Sequence, residues 1–148
     1  MNCSTEVIID KPIQQVWDYC NNPDNLKLWL NDFVRYEHLS GDINAPKVGD
    51  TSSQTFDQNG KEFTMNEEII AYNPPNHIKL LMTHKWFDMH IVNDLEEVGT
   101  GQTKLTASAN TIRTGLLMKV MSIFMPKSKL QNDHEKQINK LKELIEAT

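Results

Sequence analysis

Residues 9 to 29 read IDKPIQQVWDYCNNPDNLKLW and carry the clearest local signals in the chain. Asp10 stands two residues before Pro12, and apolar side chains then follow at helical spacing, at Ile13, Val16, Trp17 and Cys20. A carboxylate that can cap a helix, followed by proline in the first turn, predicts a helix start. The run NNPD (21–24) should end this helix, and NLKLWL (25–30) predicts a second short helix.

The segments on either side predict strands. STEVIID (4–10), before the first helix, has an apolar half at Val7, Ile8 and Ile9. From Phe33 to Asn110, extended segments alternate with turn sequences, which are Gly41, Asn59-Gly60, Asn73-Pro74-Pro75-Asn76 and Val98-Gly99-Thr100-Gly101. This regular spacing predicts six or seven strands in an antiparallel meander.

The tail from about Thr114 to Thr148 predicts one long helix. Its second half places Leu130, Ile138, Leu141 and Ile145 on one stripe. Its first half, within GLLMKVMSIFMPKSKL (115–130), is apolar nearly all round, and Pro126 should kink the helix. A membrane span needs about 20 apolar residues. The apolar run is half that length and contains Lys119, so we expect no transmembrane helix.

Composition limits the possible classes of protein. The chain has 148 residues, 39% of them hydrophobic and 24% charged, which suits a single globular domain over residues 1–148. The net charge of −5 argues against a nucleic-acid binder and against charge-driven docking on anionic lipid. The opening MNCSTEVIID has no basic or apolar region of a signal peptide. We therefore expect a cytoplasmic protein in which Cys3 and Cys20 are reduced.

The opening stretch resembles that of SRPBCC (START-like) domains, particularly the polyketide cyclase/dehydrase-type branch. The matching positions are Val16, Trp17, Pro23 and Trp29. Further matches are Val48-Gly49-Asp50, IIAYNPPNHIKL (69–80), LEEVGTGQTKLT (95–106) and MSIFMPKSKLQNDHEKQINKLKELIE (121–146). The resemblance implies an α+β helix-grip fold. In it, a curved antiparallel sheet of six to seven strands wraps round a long C-terminal helix, two short helices follow strand 1, and an apolar cavity lies between sheet and helix.

Strand alternation predicts which side chains would face that cavity. Small residues at Ala107 and Ala109 favour open space, whereas the alternative is that methionine and phenylalanine side chains fill it. Because methionine-lined surfaces adapt to varied ligands, the density of methionine favours a pocket. The predicted ligand contacts come from the inner face of the strands, from the second tryptophan of the opening stretch and from the apolar half of the tail. They are Trp29, Phe63, Met65, Leu80, Met82, His84, Met89, Ile91, Asn93, Ala107, Ala109, Leu117, Met121, Phe124 and Met125.

Two of the predicted inner residues can transfer protons. Glu67 and His84, a carboxyl and an imidazole in an apolar cavity, would suit acid–base catalysis by a cyclase or dehydratase. The alternatives are that they lie in water at strand ends, or that a register error of one residue turns them outward. The histidines and cysteines lack zinc-ligand spacing, and neither a phosphate loop nor a serine-nucleophile elbow is present. We expect no metal and no cofactor.

Three functions follow. The favoured one is non-catalytic binding of a hydrophobic small molecule of lipid, polyketide or aromatic type. The second is a polyketide cyclase or dehydratase-type enzyme that uses Glu67 or His84. The third is a protein-interaction module, because families with related folds include a chaperone-ATPase activator. No feature of the sequence identifies a protein partner.

Overall fold

A computed structural model describes residues 2–116 and 127–148. In chain order the elements are β1 (Asn2–Ile9), α1 (Ile13–Cys20), a 3₁₀ turn (Pro23–Asn25), α2 (Leu26–Trp29), β2 (Phe33–Ser40), β3 (Thr51–Gln58), β4 (Lys61–Asn73), β5 (His77–Thr83), β6 (Phe87–Gly99), β7 (Gln102–Thr114) and α3 (Lys127–Glu146). The α+β helix-grip fold is confirmed, with seven strands.

The strands form one antiparallel sheet in the order β1-β7-β6-β5-β4-β3-β2. Strands β2 to β7 pair in sequence as hairpins, and β1 joins β7 with Val7 opposite Leu105. The Asn59-Gly60 turn has positive φ at both residues, 52° and 83°, as a two-residue hairpin of the primed type requires. The two short helices connect β1 at one edge of the sheet with β2 at the other.

The start of α1 differs from the prediction in one respect. Pro12 precedes the helix in an extended conformation, and no side chain caps it. Asp10 instead accepts a hydrogen bond from Gln102 Nε2 at 2.8 Å. The prediction that Asp10 caps the helix is therefore wrong. This residue directly follows β1, and its carboxylate binds the β6–β7 hairpin through Gln102.

The predicted stripe on α3 packs into the main hydrophobic core. Ile138, Leu141 and Ile145 are 3%, 2% and 0% exposed. They join a cluster that includes Ile9 and Leu105 of the sheet, together with Val16, Trp17 and Cys20 of α1. The C-terminal half of α3 therefore lies over a filled core.

Side chains of α3 also cover the free edge of β1. The Gln131 side chain accepts a hydrogen bond from Ser4 N at 3.2 Å and donates one to Ser4 O at 2.8 Å. Further along, Lys142 donates to Ile8 O and Glu146 accepts from Asp10 N. The helix thus runs parallel to β1 and pairs backbone groups that an exposed edge would leave free.

The start of the tail also needs a correction. Strand β7 continues to Thr114, so the predicted helix from about Thr114 begins too early. Leu116 is helical, and α3 is described from Lys127 onward. The predicted kink at Pro126 and the predicted contacts Leu117, Met121, Phe124 and Met125 lie outside the described residues. No helix among residues 2–116 and 127–148 is long and apolar enough to cross a membrane.

Candidate functional site

A cavity of about 370 Å³ lies between the inner face of the sheet and the helices α2 and α3. Strands β4 to β7 contribute its apolar floor through alternate side chains. Among the predicted contacts, those that line it are Trp29, Met65, Leu80, Met82, Met89, Ile91, Asn93, Ala107 and Ala109. Glu67 lines it as well.

Two small side chains of β7 and one face of α3 line the cavity. Ala107 and Ala109 of β7 leave room in front of the central strands, and His134, Gln137 and Ile138 of α3 form the facing wall. One turn further along α3, Leu141 belongs to the filled core. The cavity therefore occupies the part of the inner face that the last turns of α3, from Leu141 onward, do not cover.

One wall of the cavity is polar and centres on Glu67. Gln54 of β3 donates a hydrogen bond from Nε2 to Glu67 Oε2 at 2.5 Å, and Ser52, directly opposite Glu67 in the ladder, also hydrogen-bonds the carboxyl. Burial raises the pKa of Glu67, and these two hydrogen bonds oppose that rise. Burial likewise raises the pKa of Tyr36, which lies beside Ser52. This group, which we call the Glu67 cluster, comprises Tyr36, Ser52, Gln54 and Glu67.

The helical wall carries a second set of polar groups. His134 Nδ1 shares a hydrogen bond of 2.6 Å with the hydroxyl of Thr5. Burial lowers the pKa of His134, so its neutral form is favoured in the folded protein. Trp29 is 8% exposed, and its indole N–H has no hydrogen-bond partner among the described residues.

The cavity reaches the surface beside the loop that joins β2 to β3. Exposed residues of this loop, Asp42, Ile43 and Pro46, border it together with Asn22 after α1. The loop is held to the sheet by Gly49 N, which donates to Ile69 O, and by Ile69 N, which donates to Asp50 O. Asp50 is 8% exposed and accepts a hydrogen bond from Lys47 N. This entrance is therefore built on a loop with a defined backbone conformation.

A family model matches residues 10–146, which is most of the chain, and its description is "Activator of Hsp90 ATPase homolog 1-like protein". The chain belongs to this family. The family lies within the SRPBCC superfamily, so the recognition of an SRPBCC helix-grip domain from the sequence is confirmed. No curated protein matches the chain significantly.

Solved structures share the fold of this Hsp90-activator-like chain at low sequence identity. A Thermus thermophilus protein has a TM-score of 0.76 at 15% identity, covering 99% of this chain and 98% of its own. A Chromobacterium violaceum protein has a TM-score of 0.74 at 16% identity, covering 98% and 96%. The major latex-like protein 151 of Panax ginseng has a TM-score of 0.71 at 10% identity, covering 97% and 96%. These likenesses show the fold alone.

Two predicted site residues of this family member lie outside the cavity wall. Phe63 stacks on Phe56 with ring centroids 5.5 Å apart, and His84 meets Phe63 edge-on at 6.0 Å. His84 also contacts Trp86 and Phe87. Strand β5 ends at Thr83, and His84 follows it directly. His84 therefore belongs to an aromatic cluster beside the cavity, and its role as an acid or base stays a prediction.

Sequence reasoning missed several wall residues. Ser52, Gln54 and Phe56 alternate along β3, but the strand TSSQTFDQ has too few apolar residues to reveal an inner face. His134 was detectable, because it stands four residues before Ile138 on the stripe that also holds Leu141 and Ile145. Among the described residues, no three histidine, cysteine, aspartate or glutamate side chains are grouped to hold a metal ion. Cys3 and Cys20 are both free thiols.

Proposed function

We propose that this protein binds a hydrophobic small molecule, of lipid, polyketide or aromatic type, in the cavity between the sheet and α3. The observation that carries the proposal is the cavity itself. Its volume of about 370 Å³ lies within the range of small-molecule sites, which begins at about 300 Å³. Apolar side chains with a few convergent polar groups are the usual lining of such sites.

The pattern of packing supports the same function. The main core is complete around Ile9, Leu105 and Leu141, so the fold does not need the cavity to be filled in order to bury its central helix stripe. The methionines of the floor, Met65, Met82 and Met89, can adjust their shape to different ligands. The exposed rim at Asp42 and Ile43 offers a route of entry.

The enzymatic alternative now rests on Glu67. Of the two acid–base candidates, Glu67 alone lies in the wall, whereas His84 packs among aromatic rings beside it. The protein-interaction alternative rests on the family description. The cytoplasmic location stays a prediction from the sequence.

The test is binding of the uncharged dye N-phenyl-1-naphthylamine, whose fluorescence rises in an apolar environment. We expect saturable binding to the wild-type protein. Ala109→Leu places a larger side chain in the cavity and so reduces the open space. We expect it to weaken dye binding by about tenfold, which corresponds to roughly 1.4 kcal/mol. Thr106→Leu is the matched control, because Thr106 lies on the same strand and is not part of the cavity wall.

Two results would contradict the proposal: no saturable binding by the wild type, or equal affinities for the two leucine variants. Native mass spectrometry of the freshly purified protein adds an independent measurement. A co-purified adduct with the mass of a lipid-sized molecule would support the proposal and identify the ligand. Its disappearance in Ala109→Leu would place it in the cavity.

A further inference from the structure

The carboxyl groups of the cavity wall differ in the groups that surround them. Asp42 Oδ1 accepts a hydrogen bond from Asn44 N, and Asp50 Oδ2 accepts one from Lys47 N, so both shape the entrance loop. Glu67 lies in the middle of β4, where its neighbours on the same face are Met65 and Ile69. It is therefore the carboxyl placed among the apolar side chains that would contact a ligand.

The environment of Glu67 presents its carboxyl to the cavity. Gln54 and Ser52 hold it from β3, on one side of β4, while Met82 stands directly opposite on β5, on the other side. Glu67 is only partly buried by accessible surface, and it lines the cavity. Because a carboxylate has about four acceptor sites, the two donors from β3 leave it able to accept another hydrogen bond.

The described residues of the cavity wall carry acidic groups of one charge sign. The wall carries Asp42, Asp50 and Glu67, and its described residues include neither lysine nor arginine. Its two histidines are engaged elsewhere: His38 donates from Nε2 to Gly41 O at 2.7 Å, and His134 pairs with Thr5. A carboxylate or phosphate brought into this wall would meet like charge at Glu67.

We propose that the cavity selects its ligand by head group, taking an apolar molecule whose polar end donates a hydrogen bond to Glu67, as a hydroxyl or an ammonium group does. The same apolar molecule with a carboxylate or phosphate end is discriminated against. This inference rests on the proposed function, and it narrows the ligand class to neutral or cationic amphiphiles.

The experiment is displacement of the bound dye by three ligands that share one alkyl chain and differ in their head group: an alcohol, a primary amine and a carboxylic acid. It is done at mildly alkaline pH, where the acid is ionised and the amine is protonated. For the wild type we expect the amine and the alcohol to displace the dye at concentrations about tenfold lower than the acid, since a hydrogen bond to a charged group is worth about this factor.

Two variants assign the selection to one side chain. Glu67→Gln keeps the size of the side chain and removes its charge, and we expect it to reduce the advantage of the amine over the acid by about tenfold. Glu68→Gln is the matched control, because Glu68 is the next residue of β4 and is not part of the cavity wall. It should leave the ranking unchanged.

The outcomes separate this inference from the proposed function. Failure of the wild type to bind the dye would remove the proposed function. Dye binding with equal displacement by all three ligands, or with a ranking that Glu67→Gln leaves intact, would overturn the head-group selection alone. The wild-type ranking tests the inference even if Glu67→Gln proves too unstable to study.

Discussion

Gln54 and Glu67 are diagonal neighbours on adjacent strands, and their side chains meet in the wall of the cavity. The Gln54 amide donates to Glu67 Oε2 at 2.5 Å, while the residue directly opposite Gln54 in the ladder is Met65. The hydrogen bond therefore fixes a carboxyl beside an apolar floor. Burying a carboxyl group costs free energy, and its hydrogen bonds compensate for only part of that cost. The stability of the folded protein should therefore depend on whether Glu67 is ionised.

The stability of the protein should fall as the carboxyl of Glu67 ionises. Burial raises the pKa of Glu67 in the folded state, so the folded protein holds this proton at pH values where the unfolded chain has released it. Stability is then lost as pH rises from the unfolded value, about 4.3, through the raised folded value. We expect Glu67→Gln to have a higher melting temperature than the wild type at neutral pH, with the difference vanishing in acid.

Thermal unfolding followed by circular dichroism over a pH series measures this difference. Glu68→Gln serves as the control for loss of one negative charge on the same strand. A difference between Glu67→Gln and wild type that stays constant from acid to neutral pH would show that Glu67 titrates normally.

The entrance loop should tolerate a methyl group poorly at Gly41. Gly41 has φ of +88°, and a Cβ there would lie 2.2 Å from Asp50 Oδ1. Gly60 has nearly the same φ, +83°, with no heavy atom within 4 Å of its added Cβ. Both alanine variants incur the left-handed backbone penalty of about 1–2 kcal/mol, and Gly41→Ala should lose roughly 1 kcal/mol more because Asp50 must leave Lys47 N.

Urea unfolding of the two glycine variants gives the comparison, with Gly60→Ala as the measure of backbone strain alone. Equal losses in the free energy of unfolding would mean that Asp50 moves aside at no cost. The larger loss at Gly41 would show that the loop conformation at the cavity entrance depends on close contact between these two residues.

The cover over the edge of β1 should depend on Gln131. Its side chain pairs with both the N–H and the C=O of Ser4. Gln131→Ala should lower the free energy of unfolding by about 1 kcal/mol and should speed hydrogen exchange at the Ser4 amide. Lys136→Ala, an exposed change on the same helix, is the control. Unaltered protection of the Ser4 amide in Gln131→Ala would refute the pairing.

The two thiols should differ in reactivity. Burial raises the pKa of Cys20 to about 12, and Cys20 is 7% exposed. Since the thiolate is the nucleophile, we expect iodoacetamide to modify Cys3 first and Cys20 only when the protein unfolds. Peptide mapping by mass spectrometry distinguishes the two sites, with a urea-unfolded sample as the control. Equal labelling rates in the native protein would contradict the buried position of Cys20.

The strands that the sequence described well are those with alternating apolar residues. In β6 and β7 the pattern through Met89, Ile91, Ala107 and Ala109 identified the face that forms the cavity floor. In β3 the alternating residues Ser52 and Gln54 are polar, so the sequence carried no sign of which face they occupy. Register across the sheet, which pairs Ser52 with Glu67, decided it.

Two side chains have partners that the local sequence pattern does not predict. His84 directly follows β5, and its ring packs edge-on against Phe63 beside the cavity. Asp10 had the spacing of a helix cap, yet the approach of Gln102 gave its carboxylate a different partner. Both outcomes depend on residues distant in sequence, which a local pattern does not include.

The sequence by itself determined the order of strands and helices, the turn at Asn59-Gly60 and the buried stripe through Ile138, Leu141 and Ile145, because these follow from periodicity and backbone preference over a few residues. Only the tertiary structure decided where the inner face stays open and that Ser52 and Gln54 of β3 face the opening beside Glu67. That depends on where α3 crosses the sheet and how far its C-terminal half fills the space, which are properties of packing between segments that lie apart in the chain.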